Sequence, residues 1–320
     1  MVRAKMEDDN FRQRVLREFE CASAGILKGN TYFDQLLIWT RERIPSEVFK
    51  KVAKLAGKFH PHRAKPENKF HMKRLGWTWA YRLYQPSMEA LQTLADGLEG
   101  GTLINYLEIS IEIEMQGAEA KCALTSFLER HIWQGHRSPG PLPVEYQGTV
   151  YTSARDSRNN IVMYADRPSK ISGHKECIKL EYRVRESRGC ALKGVKTLAD
   201  LINFDHKTFW SKQLRLGAVD LNRLELALRN SSRPIKLRKL PKLYRPFPKA
   251  NFLCNIAIAR AWADGGPGSD SRMRTNGSAR MFQDVKAAWP HLSKLHRSIA
   301  PLQRYMVRIP NGGLLARVIT

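Results

Sequence analysis

A tyrosine and a glutamate on two predicted strands are the residues of this sequence with the clearest chemical potential. Tyr164 ends a short apolar run, Glu181 lies inside an alternating run, and Arg167 and Lys170 come after Tyr164 in the connecting turn. A phenol has a pKa near ~10 and is a poor nucleophile unless cations or a metal ion stabilise the phenolate. Together, such groups can break and rejoin a phosphodiester bond. The alternative is a tyrosine that only packs at a strand end.

Two further carboxylates, Glu108 and Glu112, lie on the polar face of the most regular strand pattern, at 103–115. If this strand neighbours the strand of Glu181, either glutamate could share one ion with Glu181. Carboxylate oxygens select Mg²⁺ or Mn²⁺, and such an ion can polarise a phosphate. The alternative is that outward glutamates on strands only face water.

Other candidate motifs are weaker. His60 and His62 have the His-x-His spacing of a nuclease metal site, but they lie in a predicted loop and the proline between them resists a central strand. His174 and His206 stand alone and are interpreted as surface or packing residues. The sequence contains neither a Walker loop nor a GxGxxG run, so bound ATP or NAD is not indicated.

The charge of the chain points to a polyanionic partner. The net charge is +24, and residues 231–320 hold 17 Lys and Arg against 3 Asp and Glu. Polyanions bind such a surface because their counterions are released. We therefore expect a nucleic-acid partner. The alternatives are a protein that is basic only for solubility, or one that binds acidic lipid.

Cysteine usage and hydropathy predict a cytoplasmic protein. The five cysteines include no CxxC pair, which disfavours a zinc ribbon or a disulfide framework and fits a reducing compartment. The charged N-terminus lacks the apolar core of a signal peptide, and no apolar run approaches the ~20 residues that span a bilayer. We therefore expect no membrane contact. A hydrophobic content of 42% is enough for a packed core.

The order of the predicted elements indicates the fold class. Helices are predicted over 1–28, 45–55, 86–98, 117–133 and, with breaks, 190–229, and strands over 32–39, 77–84, 103–115, 149–154, 161–164 and 178–185. Residues 60–69 are predicted as a polar loop. Alternation places Leu103 with Leu107 on one strand face, and Ile104 with Tyr106 on the other. This order predicts an α+β fold, with a mostly antiparallel sheet, helices packed on one face, and the chemistry on the open face.

Composition divides the chain into four parts. These are a charged N-terminal helix or extension (1–29), a catalytic sheet domain (30–230), a basic proline-rich linker (231–250) and a basic helical C-terminal region (251–320). The linker is predicted because Ser231–Lys249 holds seven Lys and Arg, four prolines and no acid. Within the last part, helices are predicted over 251–263 and 279–307.

Two short segments resemble a known family. Tyr-Ala-Asp-Arg-Pro-Ser-Lys at 164–170, followed by Ile-Lys-Leu-Glu-Tyr-Arg-Val-Arg at 178–185, resembles the rolling-circle replication initiators of plasmids and filamentous phages. In that family a strand-end tyrosine, with a lysine shortly after it, precedes a strand of the form Arg-Phe-Glu-x-Arg, and an earlier strand carries acidic residues. Here 106–112 occupies the earlier place, with glutamates at both acidic positions, and 198–210 is similar to the next segment of the phage members.

The resemblance, which extends over roughly 30–215, implies a DNA nicking and closing enzyme with a core like that of RNA-recognition modules. Tyr164 would attack a phosphodiester at the replication origin, retain the 5′ phosphate and free a 3′ hydroxyl. Glu181, with Glu108 or Glu112, would hold Mg²⁺ or Mn²⁺. Because the bond energy stays in the covalent link, closure would need no ATP.

The resemblance also implies the cations and partners of the reaction. Arg167 and Lys170 would assist at the phosphate, the substrate would be single-stranded or supercoiled origin DNA, and a host helicase or polymerase could act next. Further DNA contacts are expected from basic residues of the hairpin, the next strand and the linker: Arg155, Arg158, Lys179, Arg183, Arg185, Lys236, Arg238, Lys239, Lys242 and Arg245.

Two other functions remain open. The chain could be a non-enzymatic nucleic-acid-binding protein in which Tyr164 packs or stacks and the acidic strands face solvent. It could also be a metal-dependent nuclease that forms no covalent intermediate.

Overall fold

A computed structural model of the chain describes residues 2–62, 66–134, 144–146, 149–152, 158–219, 306–309 and 312–319. Within these ranges, no helix combines the length and the hydrophobicity that a membrane span requires. The predicted linker and most of the predicted C-terminal helical region, including 251–263, lie outside the described residues, so their structure remains a prediction.

An eight-stranded sheet organises the molecule, in the spatial order β2-β3-β1-β4-β9-β8-β7-β6. Every described neighbour pair in it is antiparallel. The strands are β1 (Ile26–Thr40), β2 (Lys58–Pro61), β3 (Trp79–Tyr84), β4 (Thr102–Met115), β6 (Val144–Tyr146), β7 (Thr149–Tyr151), β8 (Asn159–Tyr164) and β9 (Cys177–Arg185). The predicted α+β class is confirmed, and so is the predicted hairpin, formed by β7 and β8.

Helices cover one face of this sheet. The helices are α1 (Val2–Ser23), α2 (Ser46–Leu55), α3 (Pro66–Arg74), α4 (Met88–Asp96), α5 (Ala118–His131), α6 (Ser187–Ala191), α7 (Leu198–Ile202), α8 (His206–Gln213) and α9 (Gly312–Val318). All except α3 contribute buried side chains to one core with sheet residues such as Ile109, Leu180 and Tyr182. Burying each large apolar side chain contributes about 1.5–3 kcal/mol, so this layer supplies most of the stability. This helical layer leaves the opposite face open.

Strand β4 follows its predicted alternation except at one end. Its register against β1 shifts so that Leu37 pairs with Tyr106 but Ile38 pairs with Ile104, which leaves Asn105 unpaired in a β-bulge. As a result Ile104 joins Leu107 in the main core, and Leu103 packs with Tyr106 on the open face. The predicted facing of Leu103 and Ile104 is therefore wrong, because a bulge reverses the alternation.

Three predicted element boundaries are also wrong. The N-terminal helix ends at Ser23, and Gly25 then passes so close to α5 that an added Cβ would lie 2.5 Å from the Cβ of Ala120. The predicted loop 60–69 contains the end of β2 and the start of α3, because Phe59 packs in the core and Met72 packs on the open face. The predicted helical run 190–229 gives way to a strand at 214.

That strand, β10 (Leu214–Val219), lies between β5 (Ile132–Gln134) and β11 (Met306–Ile309) in a second, three-stranded sheet. The prediction of a helix over 279–307 is therefore wrong at residues 306 and 307, which lie in β11 and pair antiparallel with β10, whereas 279–305 lie outside the described residues. After β11, α9 returns to the main core, where a Cβ added to Gly29 would lie 2.2 Å from the Val318 carbonyl oxygen. The last described residues thus pack against β1 and share a core with the predicted catalytic domain.

Candidate active site

Three carboxylates meet on the open face of the large sheet. Asp34, Glu108 and Glu181 lie on the adjacent strands β1, β4 and β9. One carboxylate oxygen from each residue lies within 4.8 Å of the other two. Their residues are only 4, 6 and 2% exposed. Ionised carboxylates are seldom buried so fully unless cations compensate them.

Asp34 reaches this group through a β-bulge, and it is not among the site residues predicted from the sequence. Phe33 pairs with Ile109 and Gln35 pairs with Glu108, so Asp34 is the extra residue of β1. Bulges of this kind redirect a side chain and are common beside active sites. The available signal was an acid within an otherwise largely apolar strand, but which residues it meets depends on a register that β1 alone does not reveal.

Glu108 and Glu181 lie on paired strands, as the metal prediction required. Glu181 is opposite Ser110, whereas Glu108 is opposite Arg183 and Glu112 is opposite Lys179. Glu181 is therefore diagonal to both Glu108 and Glu112, at a spacing that long side chains can cross. The sheet register alone does not choose between these two glutamates.

The loop after β8 makes that choice by occupying Glu112. The Glu112 carboxylate accepts hydrogen bonds from the Tyr32 hydroxyl (2.6 Å), the Ser169 hydroxyl (2.6 Å) and the Lys170 backbone N–H (3.0 Å). The predicted ligand Glu112 is thus not brought into the group of three carboxylates. It instead fastens the loop that carries Lys170.

Cations compensate the three carboxylates. Lys170 Nζ lies 2.9 and 2.8 Å from the two Asp34 oxygens. Lys179 Nζ donates a hydrogen bond to Asp34 and another, of 2.8 Å, to Glu181. Arg183 Nε lies 2.6 Å from Glu181 Oε1 and 3.4 Å from Glu108 Oε1. The predicted DNA-binding residues Lys179 and Arg183 therefore direct their charges at carboxylates inside the site.

Burial and these contacts shift the pKa of two of the carboxyl groups, those of Glu108 and Asp34. Burial first, and the negative charge of Glu181 second, raise the pKa of Glu108 to about 7. Burial by itself would also raise the pKa of Asp34, but the charges of Lys179 and Lys170 outweigh burial and hold that pKa below its ordinary value. Glu108 is consequently a carboxyl group that exchanges its proton near neutral pH.

Tyr164 lies at the end of β8 on the same open face. Its side chain packs with Tyr151 and Val162, in a cluster separate from the main core, and is 7% exposed. Arg183 Nη2 donates a hydrogen bond to the Tyr164 hydroxyl while Arg183 Nε holds Glu181. One guanidinium therefore links the phenol to the carboxylate group.

Further cations surround the Tyr164 ring. The guanidinium carbon of Arg167 lies 4.8 Å from the ring centroid, and Lys179 Nζ lies 5.7 Å from it. Burial, followed by the negative charge of Glu181, nevertheless raises the pKa of Tyr164 above its ordinary value, although Arg183 opposes this. The phenol is protonated at neutral pH and needs further positive charge, or a base, to become a nucleophile.

The remaining predicted DNA contacts lie at the margin of this site or outside the described residues. Arg158 pairs with Glu186 at 2.9 Å on the surface, and Arg185 is the last residue of β9. Arg155 and the five linker residues (Lys236, Arg238, Lys239, Lys242 and Arg245) fall outside the described ranges.

The histidines considered above are not part of the group of three carboxylates. His60 lies on the edge strand β2, whose last residue is the intervening proline, Pro61. His174 Nε2 is 2.8 Å from the Met115 carbonyl oxygen, and the His206 ring packs against Phe33 and Phe204. These contacts agree with the interpretation of both as surface or packing residues.

Comparison with known proteins gives a likeness in structure but no match in sequence. No known protein family profile matches the chain, and no curated protein matches it in sequence. Among solved structures, the rolling circle replication initiator protein from Geobacillus stearothermophilus is similar over 58% of this chain and 86% of its own, at 10% identity and a TM-score of 0.34. At that identity and TM-score the likeness does not assign a function, which has to rest on the site.

Proposed function

We propose that this protein is a DNA nicking and closing enzyme that initiates rolling-circle replication, with Tyr164 as its nucleophile. The observation that carries the proposal is the shared guanidinium of Arg183, which joins the Tyr164 hydroxyl to Glu181 on the open sheet face. The candidate nucleophile Tyr164, three carboxylates and several cations thus lie on a face that the main helical layer leaves uncovered. The net charge of +24 suits a DNA substrate.

A divalent ion is part of the proposal, and the donor set fits one. Three carboxylate oxygens within 4.8 Å of one another are hard ligands of the kind that Mg²⁺ and Mn²⁺ prefer. Asp34, Glu108 and Glu181 would hold the ion, and when bound it would supply polarisation of the scissile phosphate. Lys170, Lys179 and Arg183 contact the same carboxylates, so the ion would have to compete with them.

The chain's own residues account for the covalent step. The Tyr164 oxygen would form a bond to phosphorus as the bond from phosphorus to the 3′ oxygen breaks, and the phenol proton would leave as the 3′ oxygen gains one. Arg183 already donates a hydrogen bond to the phenol oxygen and would stabilise the phenolate. Arg167, whose guanidinium lies over the Tyr164 ring, would lie beside the phosphate. Because one phosphate ester replaces another, the link can later be reversed to close the strand.

An assay for the covalent adduct tests this proposal. The protein, Mn²⁺ or Mg²⁺, and a supercoiled plasmid that carries the replication origin are incubated, and protein attached to 5′ DNA ends is measured. Tyr164→Phe should abolish the adduct and keep DNA binding. Tyr151→Phe, which alters the neighbouring ring of the same cluster, serves as the matched control and should keep the adduct. Loss of the adduct with Tyr151→Phe alone would reassign the nucleophile and refute the role of Tyr164.

A non-catalytic nucleic-acid-binding protein is the second candidate, because each of the three carboxylates is already ion-paired and the Tyr164 pKa is raised. Salt-sensitive DNA binding without any cleavage would support it. Cleavage that survives Tyr164→Phe would instead indicate a metal-dependent nuclease without a covalent intermediate.

A further inference from the structure

Helix α3 differs from the other described helices because it packs on the open face of the sheet. Its buried residue Met72 belongs to a small cluster with Leu37, Trp39 and Ala80. Trp77, just after the helix, packs against the same cluster. The helix is therefore on the face that carries the candidate active site.

The outer surface of α3 combines an unburied aromatic ring with positive charge. Phe70 is 73% exposed, and Lys69, Lys73 and Arg74 are exposed with it. Residues three and four positions apart are neighbours on a helix, so Lys73 and Arg74 flank Phe70. An exposed phenylalanine lacks the stabilisation that burial would give, and a ligand that covered the ring would supply it.

A second aromatic ring with its own cation lies beside the helix. The Arg41 guanidinium carbon is 5.4 Å from the centroid of the half-buried Trp77 ring. We call the residues Arg41, Lys69, Phe70, Lys73, Arg74 and Trp77, which lie on α3 or beside it, the α3 platform. Together they offer two aromatic rings and four cations.

The charge of this part of the chain selects a polyanion as the ligand. Residues 58–82 contain seven Lys and Arg, three His and one acid. Lys69 and Lys73 repel each other because they are one helical turn apart, and a bound phosphate would relieve that repulsion. Flat aromatic rings among cations are the features with which proteins hold single strands, since unpaired bases stack on the rings and cations contact the phosphates.

Tyr106 links the cluster beneath α3 to the carboxylates. Tyr106 packs against the open-face cluster beneath α3, and its hydroxyl donates a hydrogen bond to Glu108. A strand held on the platform would therefore lie on the sheet face that carries Glu108.

We propose that the α3 platform binds single-stranded DNA by stacking unpaired bases on Phe70 and Trp77, with Arg41, Lys69, Lys73 and Arg74 at the phosphates. The choice of DNA rests on the proposed nicking function, because a nicked origin presents a single strand beside the active site. The stacking itself requires only the platform and does not require Tyr164 chemistry.

Binding of a fluorescent 20-nucleotide oligo-dT to the full chain, measured by anisotropy at several salt concentrations, tests the platform. Phe70→Ala should weaken binding about 5- to 100-fold, and Phe70→Trp should restore it. Lys73→Gln should reduce the slope of log affinity against log salt by about 0.7. Leu192→Ala, at a 74% exposed leucine that comes after the core-facing helix α6, is the matched control and should bind as the wild type does. Thermal melts confirm that each variant is folded.

The possible outcomes separate this inference from the proposed function. Wild-type oligo-dT affinity in Phe70→Ala would overturn the inference, whatever the adduct assay gives. An equal loss of affinity for a 20-base-pair duplex would overturn base stacking, and tighter binding of a 20-nucleotide oligo-U RNA would overturn the choice of DNA. If Phe70→Ala selectively loses oligo-dT binding while the wild-type protein forms no Tyr164 adduct, the platform is upheld and the nicking function is rejected.

Discussion

Lys179→Met should destabilise the protein because it leaves buried negative charge without its central cation. Lys179 is 7% exposed and bonds both Asp34 and Glu181. Removing one partner of a buried ion pair costs about 3–5 kcal/mol. Lys170 still contacts Asp34 and Arg183 still contacts Glu181, so we expect the lower end, about 3 kcal/mol. Methionine keeps the volume of the side chain and removes only its charge and hydrogen bonds.

Urea unfolding at pH 7 measures this loss. The control is Lys121→Met, since Lys121 pairs with Glu176 at 2.7 Å but both side chains are partly exposed, and such pairs contribute about 0–1 kcal/mol. Adding Asp34→Asn to Lys179→Met removes one of the two carboxylates that lost the hydrogen bond to Lys179. The double variant should therefore recover part of the lost stability. If Lys179→Met costs no more than Lys121→Met, the charges of the site are solvated and the reasoning from burial fails.

Two more predictions concern the carboxylates. The folded state of the wild type should lose stability as pH rises from about 4.5 to about 7, because Glu108 with a pKa of about 7 holds a proton that the unfolded chain has released. Glu108→Gln should remove up to about 3 kcal/mol of this pH-dependent change in stability, because each unit of pKa shift corresponds to about 1.4 kcal/mol. Urea unfolding across that pH range measures the change. A Glu108→Gln profile identical to that of the wild type would contradict the burial of Glu108. Mn²⁺ should raise the melting temperature of the wild type, with a stabilisation of about 2.7 kcal/mol at 100 times the dissociation constant, and chelation should reverse it. Asp34→Asn should abolish the effect of Mn²⁺ on the melting temperature. The control Glu114→Gln, on the same sheet face but outside the three carboxylates, should keep it. Loss of the effect in Glu114→Gln but not in Asp34→Asn would place the ion elsewhere.

Local periodicity predicted most of the sheet because a strand's alternation is written in consecutive residues. Strand β9 alternates so regularly that Ile178, Leu180, Tyr182 and Val184 are all fully buried on the helical side. The same alternation puts Glu181 on the other face. The alternative that outward glutamates on strands only face water does not hold here, since the opposite face holds its own buried ion-pair group.

Errors arose where the alternation is interrupted or where a segment is packed by distant residues. The bulge at Asn105 reversed the facing of Leu103 and Ile104, and the bulge at Asp34 is decided by the pairing of β1 with β4. Helix α3 carries few apolar residues, so its pattern resembles a polar loop until Met72 meets the open face. The polar residues 60–69 therefore gave no periodic signal.

The amino-acid sequence by itself determined the basic charge, the alternating strands and the presence of Tyr164, Glu108 and Glu181 on them, because these depend only on composition and on spacing along the chain. Only the tertiary structure decided that Asp34 joins Glu108 and Glu181 while Glu112 holds a loop instead. That choice depends on which strands pair, in what register, and on hydrogen bonds between residues more than fifty positions apart. Contacts over such distances are set by the packing of the whole sheet, which no local pattern encodes.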